Sequence, residues 1–289
     1  MSAGFEAIAF AVGGNRCYWQ GGFWEAAAPM LGLQPRMVVG VSGGAWAATY
    51  SLLGLGDAVR DMVIDGCSKG IQNIVWAGMR PTFPVAGMYR ELIETIIDEK
   101  AFARLKQGPE LLIAIARSPR RLPLPFAVGL GLLTYQVEKK LHGPVHPRGG
   151  RALGFRSDFV SLAQIGERSD LVAALMASAS VPPFMPVGLI GGVAALDGGL
   201  VDNVPVEPLA AVEARGGKTL VLLTRRYKAL PKIPHRTYVQ PTHPIPIGQF
   251  DITRPEAILA AYEQGMTDGA AFAANWSSRS SSSRIDPSM

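Results

Sequence analysis

Cysteine is scarce in this chain: Cys17 and Cys67 are the only two in 289 residues and stand fifty apart, so neither a disulfide framework nor a metal-ligand spacing is available. Long apolar runs are missing too. No stretch reaches the ~18 uninterrupted apolar residues of a membrane span, and the opening MSAGFEA has neither the basic start nor the cleavage-type ending of a secretory signal. A cytoplasmic location is the expectation. There is no basic stripe with interleaved aromatics, and the formal net charge of +5 is modest, which argues against nucleic acid as a partner. The stretch GGNRCYWQGG at 13–22 lacks both the G-x-G-x-x-G spacing and the Lys-Ser/Thr of a phosphate-binding loop. No cofactor and no metal are expected. What is present, 48% hydrophobic and 18% charged residues, can bury the core of one sizeable enzyme domain.

Residues 40–44 read GVSGG. Ser42 follows the short apolar strand Met37 to Val39 and precedes AWAATYSLL, a helix of small residues. This is the pattern of a nucleophile elbow, a sharp strand-to-helix turn that lifts one hydroxyl out of a sheet. Gly40 and Gly44 let strand and helix pass without a Cβ clash. One strand earlier, EAIAFAV at 6–12 reads as a buried strand, followed by Gly13 and Gly14 and then by NRCYWQGGFWEAAAPML as a turn and helix. Such a turn presents N–H groups that the helix leaves unpaired. A strand-helix-strand unit sets both loops on one edge of a sheet, so the turn can hold an oxyanion beside Ser42. A glycine pair is also an ordinary βα connection; the elbow one strand away favours the functional reading.

Ser42 then needs a base. VAALDGGLVDNVP at 193–205 ends a short apolar strand on Asp197, followed by Gly198 and Gly199. A carboxylate with a reference pKa of about 3.9 is ionised at neutral pH and can accept the serine proton. It is a weaker base than histidine and leaves more of the work to oxyanion donors, each typically worth ~10² to 10³ in rate. An Asp-Gly pair also caps turns. The rival is a Ser-His-Asp α/β-hydrolase carboxylesterase, in the chain order Ser42, Asp197, then His235 or His243. The spacing opposes it: about two strands fit before Ser42 where that fold has several, and the oxyanion turn comes one strand early. His142 and His146 complete the four histidines.

Four blocks in this order, GGNR at 13–16, GVSGG at 40–44, ASASVPPFMPV at 177–187 and DGGLVDNVP at 197–205, resemble the patatin-like phospholipase family, the resemblance spanning roughly residues 5–226. It implies an α/β fold, a three-layer α/β/α sandwich with a mostly parallel central sheet. It also implies a lipid acyl hydrolase, a phospholipase A or esterase, working through an acyl-enzyme on a phospholipid or other acyl-ester lipid. By the same match Ser42 and Asp197 form a Ser-Asp dyad, and Gly13, Gly14, Asn15 and Arg16, with Gly43 beside the serine, form the oxyanion hole. The family's turn usually has three glycines before its basic residue and another just after; here Val12 and Asn15 interrupt the run and Cys17 follows. Cβ atoms restrict φ at such turns. A catalytically weak module that binds lipid or a protein partner is therefore the alternative.

Helices are expected over 57–70 and 89–106. At 111–136, LLIAIARSPRRLPLPFAVGLGLLTYQ, two apolar runs flank Arg117, Arg120 and Arg121, with Pro119, Pro123 and Pro125 breaking any continuous helix. Two readings are open. Exposed, the runs would enter a lipid interface while the arginines meet anionic headgroups, each worth about 1 kcal/mol, a peripheral contact with an anionic membrane. Otherwise both runs are helices packed over the sheet, since exposed apolar patches are uncommon. Past 206, VEPLAAVEARGG reads as a helix, KTLVLLTRR as a buried strand, 231–255 as a loop and 255–275 as a helix. The expected organisation is one catalytic domain over 1–276, with a variable, lipid-facing segment at about 71–150, and a disordered Ser/Arg-rich tail over 277–289. Composition does not address the oligomeric state.

Overall fold

The computed structural model describes residues 4–119, 121–141 and 144–282. Strand β1 is Phe5–Phe10, with Ile8 and Phe10 in one apolar cluster and Ala7 and Ala9 in another. Burial on both faces is what a central parallel strand requires. A tight turn over Gly14–Cys17 leads into helix α1, Tyr18–Leu31. Strand β2, Met37–Val41, is followed by α2, Gly43–Leu53, and α3, Gly56–Ser68. A small antiparallel hairpin, β3 (Val75–Ala77) and β4 (Arg80–Thr82), precedes α4, Val85–Ile96, and α5, Glu99–Gln107. These two helices replace the single one expected over 89–106, because Asp98 is extended and its carboxylate accepts the Ala101 N–H at 2.7 Å, starting a new helix.

Strand β5, Glu110–Arg117, comes next, then α6, Leu124–Leu141, α7, Gly149–Ala152, β6, Arg156–Ser161, and α8, Arg168–Ser178. The chain continues with β7, Gly188–Ile190, β8, Val193–Asp197, α9, Leu209–Ala214, β9, Lys218–Leu222, β10, Arg236–Val239, and α10, Pro255–Ser282. The sheet order is β10-β9-β1-β2-β5-β8-β7, with β6 along β5. The five strands from β10 to β5 are parallel; β6, β8 and β7 join antiparallel. One face packs on side chains of α1, α2, α4, α5, α8 and α10, the other on Leu209 and Val212 of α9. This is the mostly parallel, helix-flanked α/β sandwich expected.

One register relation positions everything that follows. Strand β2 runs beside β5 until Val41 pairs with Ala114. At the next residue of β5, Ile115, the partner is Asp197 of β8. Because β6 also pairs with Ile115, β8 must lie on the edge that β2 has just left. The end of β8 thus fills the place vacated where the chain turns out of the sheet at Ser42.

The reading of 111–136 needs correction. Its first run is neither lipid-facing nor a helix; it is β5, at the centre of the sheet. A strand buried on both faces is a continuous apolar run and carries no period that tells it from a buried helix. Only the second run is helical, as α6. Arg117 ends β5, where Nε donates to Asp158 at 2.9 Å and the guanidinium reaches the carbonyls of Val193, Ala194 and Ile190 at 2.9, 3.3 and 3.4 Å. It clamps the β7–β8 hairpin and β6 rather than facing a headgroup. Arg120 lies outside the described residues, and Arg121 is exposed. The loop expected over 231–255 contains β10, and α10 continues through Ser282, with the rest of the expected tail outside the described residues. Among the described residues no helix is long and apolar enough to cross a membrane.

Replacing Arg117 by Gln should therefore cost roughly 1–2 kcal/mol of stability through lost charge-assisted hydrogen bonds, read as an earlier urea midpoint. An unchanged midpoint together with weakened binding to anionic vesicles would restore the headgroup role.

Candidate active site

Ser42 occupies the turn between β2 and α2 with φ 57° and ψ −135°. A non-glycine residue there carries strain of order 1–3 kcal/mol that its surroundings must hold. The N–H of Ser42 donates to Ser178 Oγ at 2.8 Å, and Ser178 Oγ donates to the Ala114 carbonyl at 2.7 Å. That carbonyl lies where β2 leaves the ladder. The flanking glycines are required by contact: a Cβ on Gly40 would stand 2.4 Å from Ala45 Cα, and one on Gly44 2.3 Å from the Ala11 carbonyl oxygen.

Asp197 arrives on the same edge of β5. The Gly199 N–H donates to its Oδ1 at 2.7 Å, and Ser42 borders the same cavity as this carboxylate. Ser42 and Asp197 are only 7% and 6% exposed, and among the described residues no basic side chain forms an ion pair with this carboxylate. Burial raises its pKa to about 6, opposed by the nearby Ser42 hydroxyl and by the Gly199 N–H. A carboxyl group held there is a stronger base than a free aspartate yet still ionised at neutral pH.

The glycine turn borders the cavities at Ser42. Gly14 has φ +53°, and a Cβ on it would stand 2.2 Å from the Gln249 carbonyl oxygen; glycine is needed on both counts. A Cβ on Gly43 would come within 2.7 Å of the Gly14 carbonyl oxygen, so this turn and the start of α2 touch. Gly14 and Gly43 each begin a helical segment, so their N–H groups have no acceptor within it. Asn15 and Arg16 differ from expectation. The Asn15 N–H donates to the Gln249 carbonyl at 2.9 Å and the Arg16 N–H to that of Gly13 at 3.2 Å. Their side chains anchor the turn, Asn15 Nδ2 to the Asp251 carbonyl at 2.7 Å and Arg16 Nε to the Ile247 carbonyl at 3.2 Å. These two residues support the turn, and their N–H groups are taken. Cys17 is buried beneath them, its Sγ donating to the Ala11 carbonyl at 3.6 Å, and burial pushes its thiol well above the ordinary range.

Two cavities meet at Ser42. One is aromatic, with Tyr18, Trp46, Tyr50 and Tyr89 among its walls. The other includes Asp197, Gly199 and Leu200, with Leu132 of α6. Gly14, Gln249 and Phe250 border both. Phe250 stacks on Phe184 at 4.7 Å, and Phe83 meets Phe184 edge-on at 4.9 Å.

The family model for patatin-like phospholipase matches residues 8–210. The chain belongs to the patatin-like phospholipase family. Lipid acyl hydrolysis is the activity this membership supports in general terms, with a lipid as the class of substrate. No curated protein matches the chain. The patatin match ends before β9, yet Gln249 and Phe250, beyond it, complete both cavities.

Among the described residues no histidine borders either cavity. His146 lies with Nδ1 2.9 Å from the Asp202 carboxylate and Nε2 3.0 Å from the Tyr238 hydroxyl. His235 and His243 are exposed, and His142 lies outside the described residues. Ser178 had no role assigned from sequence, although it sits in the ASAS block. Gln249 and Phe250 had no signal at all.

The raised pKa of Asp197 has a stability consequence. The native carboxyl binds its proton more tightly than the unfolded chain does, so its contribution is most favourable below about pH 4 and is lost as pH rises through about 6. Above that, ionisation in the buried site costs roughly 3 kcal/mol. Asp197→Asn should accordingly be more stable than the wild type at pH 8, with the advantage vanishing near pH 4, by urea unfolding at both values. A variant less stable than wild type at pH 8 would contradict the burial argument.

Proposed function

We propose that the protein is a phospholipase A or esterase in which Ser42 and Asp197 form a catalytic dyad. The observation that carries this reading is that β2 ends against Ala114 of β5 and Asp197 pairs with the next residue, Ile115, so that Ser42 and Asp197, both buried, come to the wall of one cavity. Ser42 Oγ attacks the carbonyl carbon of an acyl-lipid ester as its proton passes to Asp197. The carbonyl oxygen becomes an oxyanion held by N–H groups of Gly13, Gly14 and Gly43, whose positions are fixed before the reaction begins. The tetrahedral centre collapses, the C–O bond to the alcohol breaks, and Asp197 returns the proton to the leaving oxygen. Water then gives a proton to Asp197 and attacks the acyl-enzyme, and Ser42 leaves with that proton as the fatty acid is released.

Lipid has an approach to this centre. Phe126, Leu130 and Leu133 are 73%, 41% and 60% exposed along one stripe of α6, and Leu132 of the same helix borders the Asp197 cavity. With Arg121 nearby in sequence, this stripe is our choice for peripheral contact with an anionic membrane, at a cytoplasmic face.

Ester hydrolysis should vanish in Ser42→Ala and fall roughly 10²–10⁴-fold in Asp197→Asn. In the wild type kcat/KM should rise with pH through a single ionisation near the value to which burial lifts Asp197, about 6. A pH-independent rate, or substantial hydrolysis by Asp197→Asn, contradicts the dyad. Vesicle binding without hydrolysis by the wild type would favour a lipid-binding module instead.

A further inference from the structure

Behind Tyr18 and Tyr89, the aromatic cavity beside Ser42 has a neighbour. The volume of the aromatic cavity is about 50 Å³, room for only a few water-sized groups. A second cavity of about 200 Å³ adjoins it, and the two share Asn15, Tyr18, Val85 and Tyr89 as walls. Met62 and Val63 of α3, Met88 and Leu92 of α4, and Ile252 line the larger space. Apolar side chains thus line a space that does not border Asp197 and is separated from the cavity at Ser42 by shared walls that include Tyr18 and Tyr89. Methionines suit such a wall, because an unbranched thioether adapts to a flexible chain. Polar groups gather instead around Asp65, Lys69 and Glu91 of the same lining, where Lys69 Nζ pairs with Asp65 at 3.0 Å and both side chains are exposed. The larger cavity therefore combines an apolar wall with a charged, solvent-facing edge.

We propose that the space between α3 and α4 is the distal acyl subsite: the tail of a medium- or long-chain fatty acyl ester runs from Ser42 past Tyr18 and Tyr89 and fills it. This rests on the acyl-hydrolase reading and adds a selection for chain length. Short acyl groups are accommodated in the first cavity alone. Longer ones gain from each methylene that crosses the tyrosines, by about four-fold per methylene fully removed from water.

Gly66 makes the subsite testable. It lies within α3 on the cavity wall, and the nearest atom to a Cβ built there is Met88 Cε, the end of an unbranched side chain, at 3.3 Å. A leucine at this helical position would occupy the cavity while favouring the helix over glycine. Met88→Ala would enlarge the same space. The experiment compares p-nitrophenyl esters from butanoate to hexadecanoate on wild type, Gly66→Leu and Met88→Ala. The ratio of kcat/KM on dodecanoate to that on butanoate should fall about ten-fold or more in Gly66→Leu, and the preferred chain should lengthen in Met88→Ala. Ratios unchanged in both variants, with hydrolysis intact, overturn the subsite and leave the hydrolase standing. A second readout is independent of turnover: in Ser42→Ala, dodecanoic acid should displace a fluorescent fatty acid, and adding Gly66→Leu should weaken that binding about ten-fold. Binding with this sensitivity in a chain that hydrolyses no ester would keep the subsite and remove the hydrolase. Should Gly66→Leu fail to fold, Met88→Ala decides alone, a preference that does not lengthen counting against the subsite.

Discussion

Strand β5 holds together two parts of the chain that are distant in sequence. Its edge is shared end to end: β2 occupies it to Ala114, and β8 takes over at Ile115. A strand that leaves a sheet abandons hydrogen-bonding groups, and buried ones must find partners. Here the Ala114 carbonyl is satisfied by Ser178, whose hydroxyl also receives the N–H of the strained Ser42. Side chains alternate along a strand, so a slip of one residue in either pairing would turn Asp197 or the serine turn away from the other. The encounter is therefore set by the backbone ladder, which is stiffer than any side-chain contact.

Close backbone packing around this ladder serves the same end. The glycine turn rests on the start of α2 and against the 247–251 loop at distances that a side chain would block. Asn15 and Arg16 spend their polar groups on that loop. Gly14 and Gly43 line the cavity at Ser42, near a carboxylate whose burial makes it more basic. In the proposed reaction these are complementary: a tightly packed site excludes water, strengthens Asp197 as a base, and holds the oxyanion donors without rearrangement. The same burial destabilises the ionised resting state, a cost borne by the rest of the fold.

Much of this was legible because its causes are local. Gly40, Ser42 and Gly44 announce a turn by spacing, and Gly13-Gly14 after a buried run announces another. Other features depended on distant parts of the chain. Strand β5 reads like a helix or a lipid-facing run because both its faces are covered. Arg117 looked like part of a basic surface cluster, yet its partners are Asp158 and the carbonyls of a hairpin more than seventy residues on. Ser178 is one serine of two in ASAS, and only the ladder's end at Ala114 selects it. Gln249 and Phe250 come from a proline-rich stretch with no period of its own.

A fluorophosphonate reports on the proposed dyad at the atom where it acts. Mass spectrometry of the labelled chain, across pH, should find the adduct on Ser42 in the wild type, forming faster as pH rises through about 6, and forming far more slowly and without that rise in Asp197→Asn. Labelling on another residue, or equal rates at Ser42 in both proteins, would contradict the pairing of hydroxyl and carboxylate on which the proposed chemistry stands.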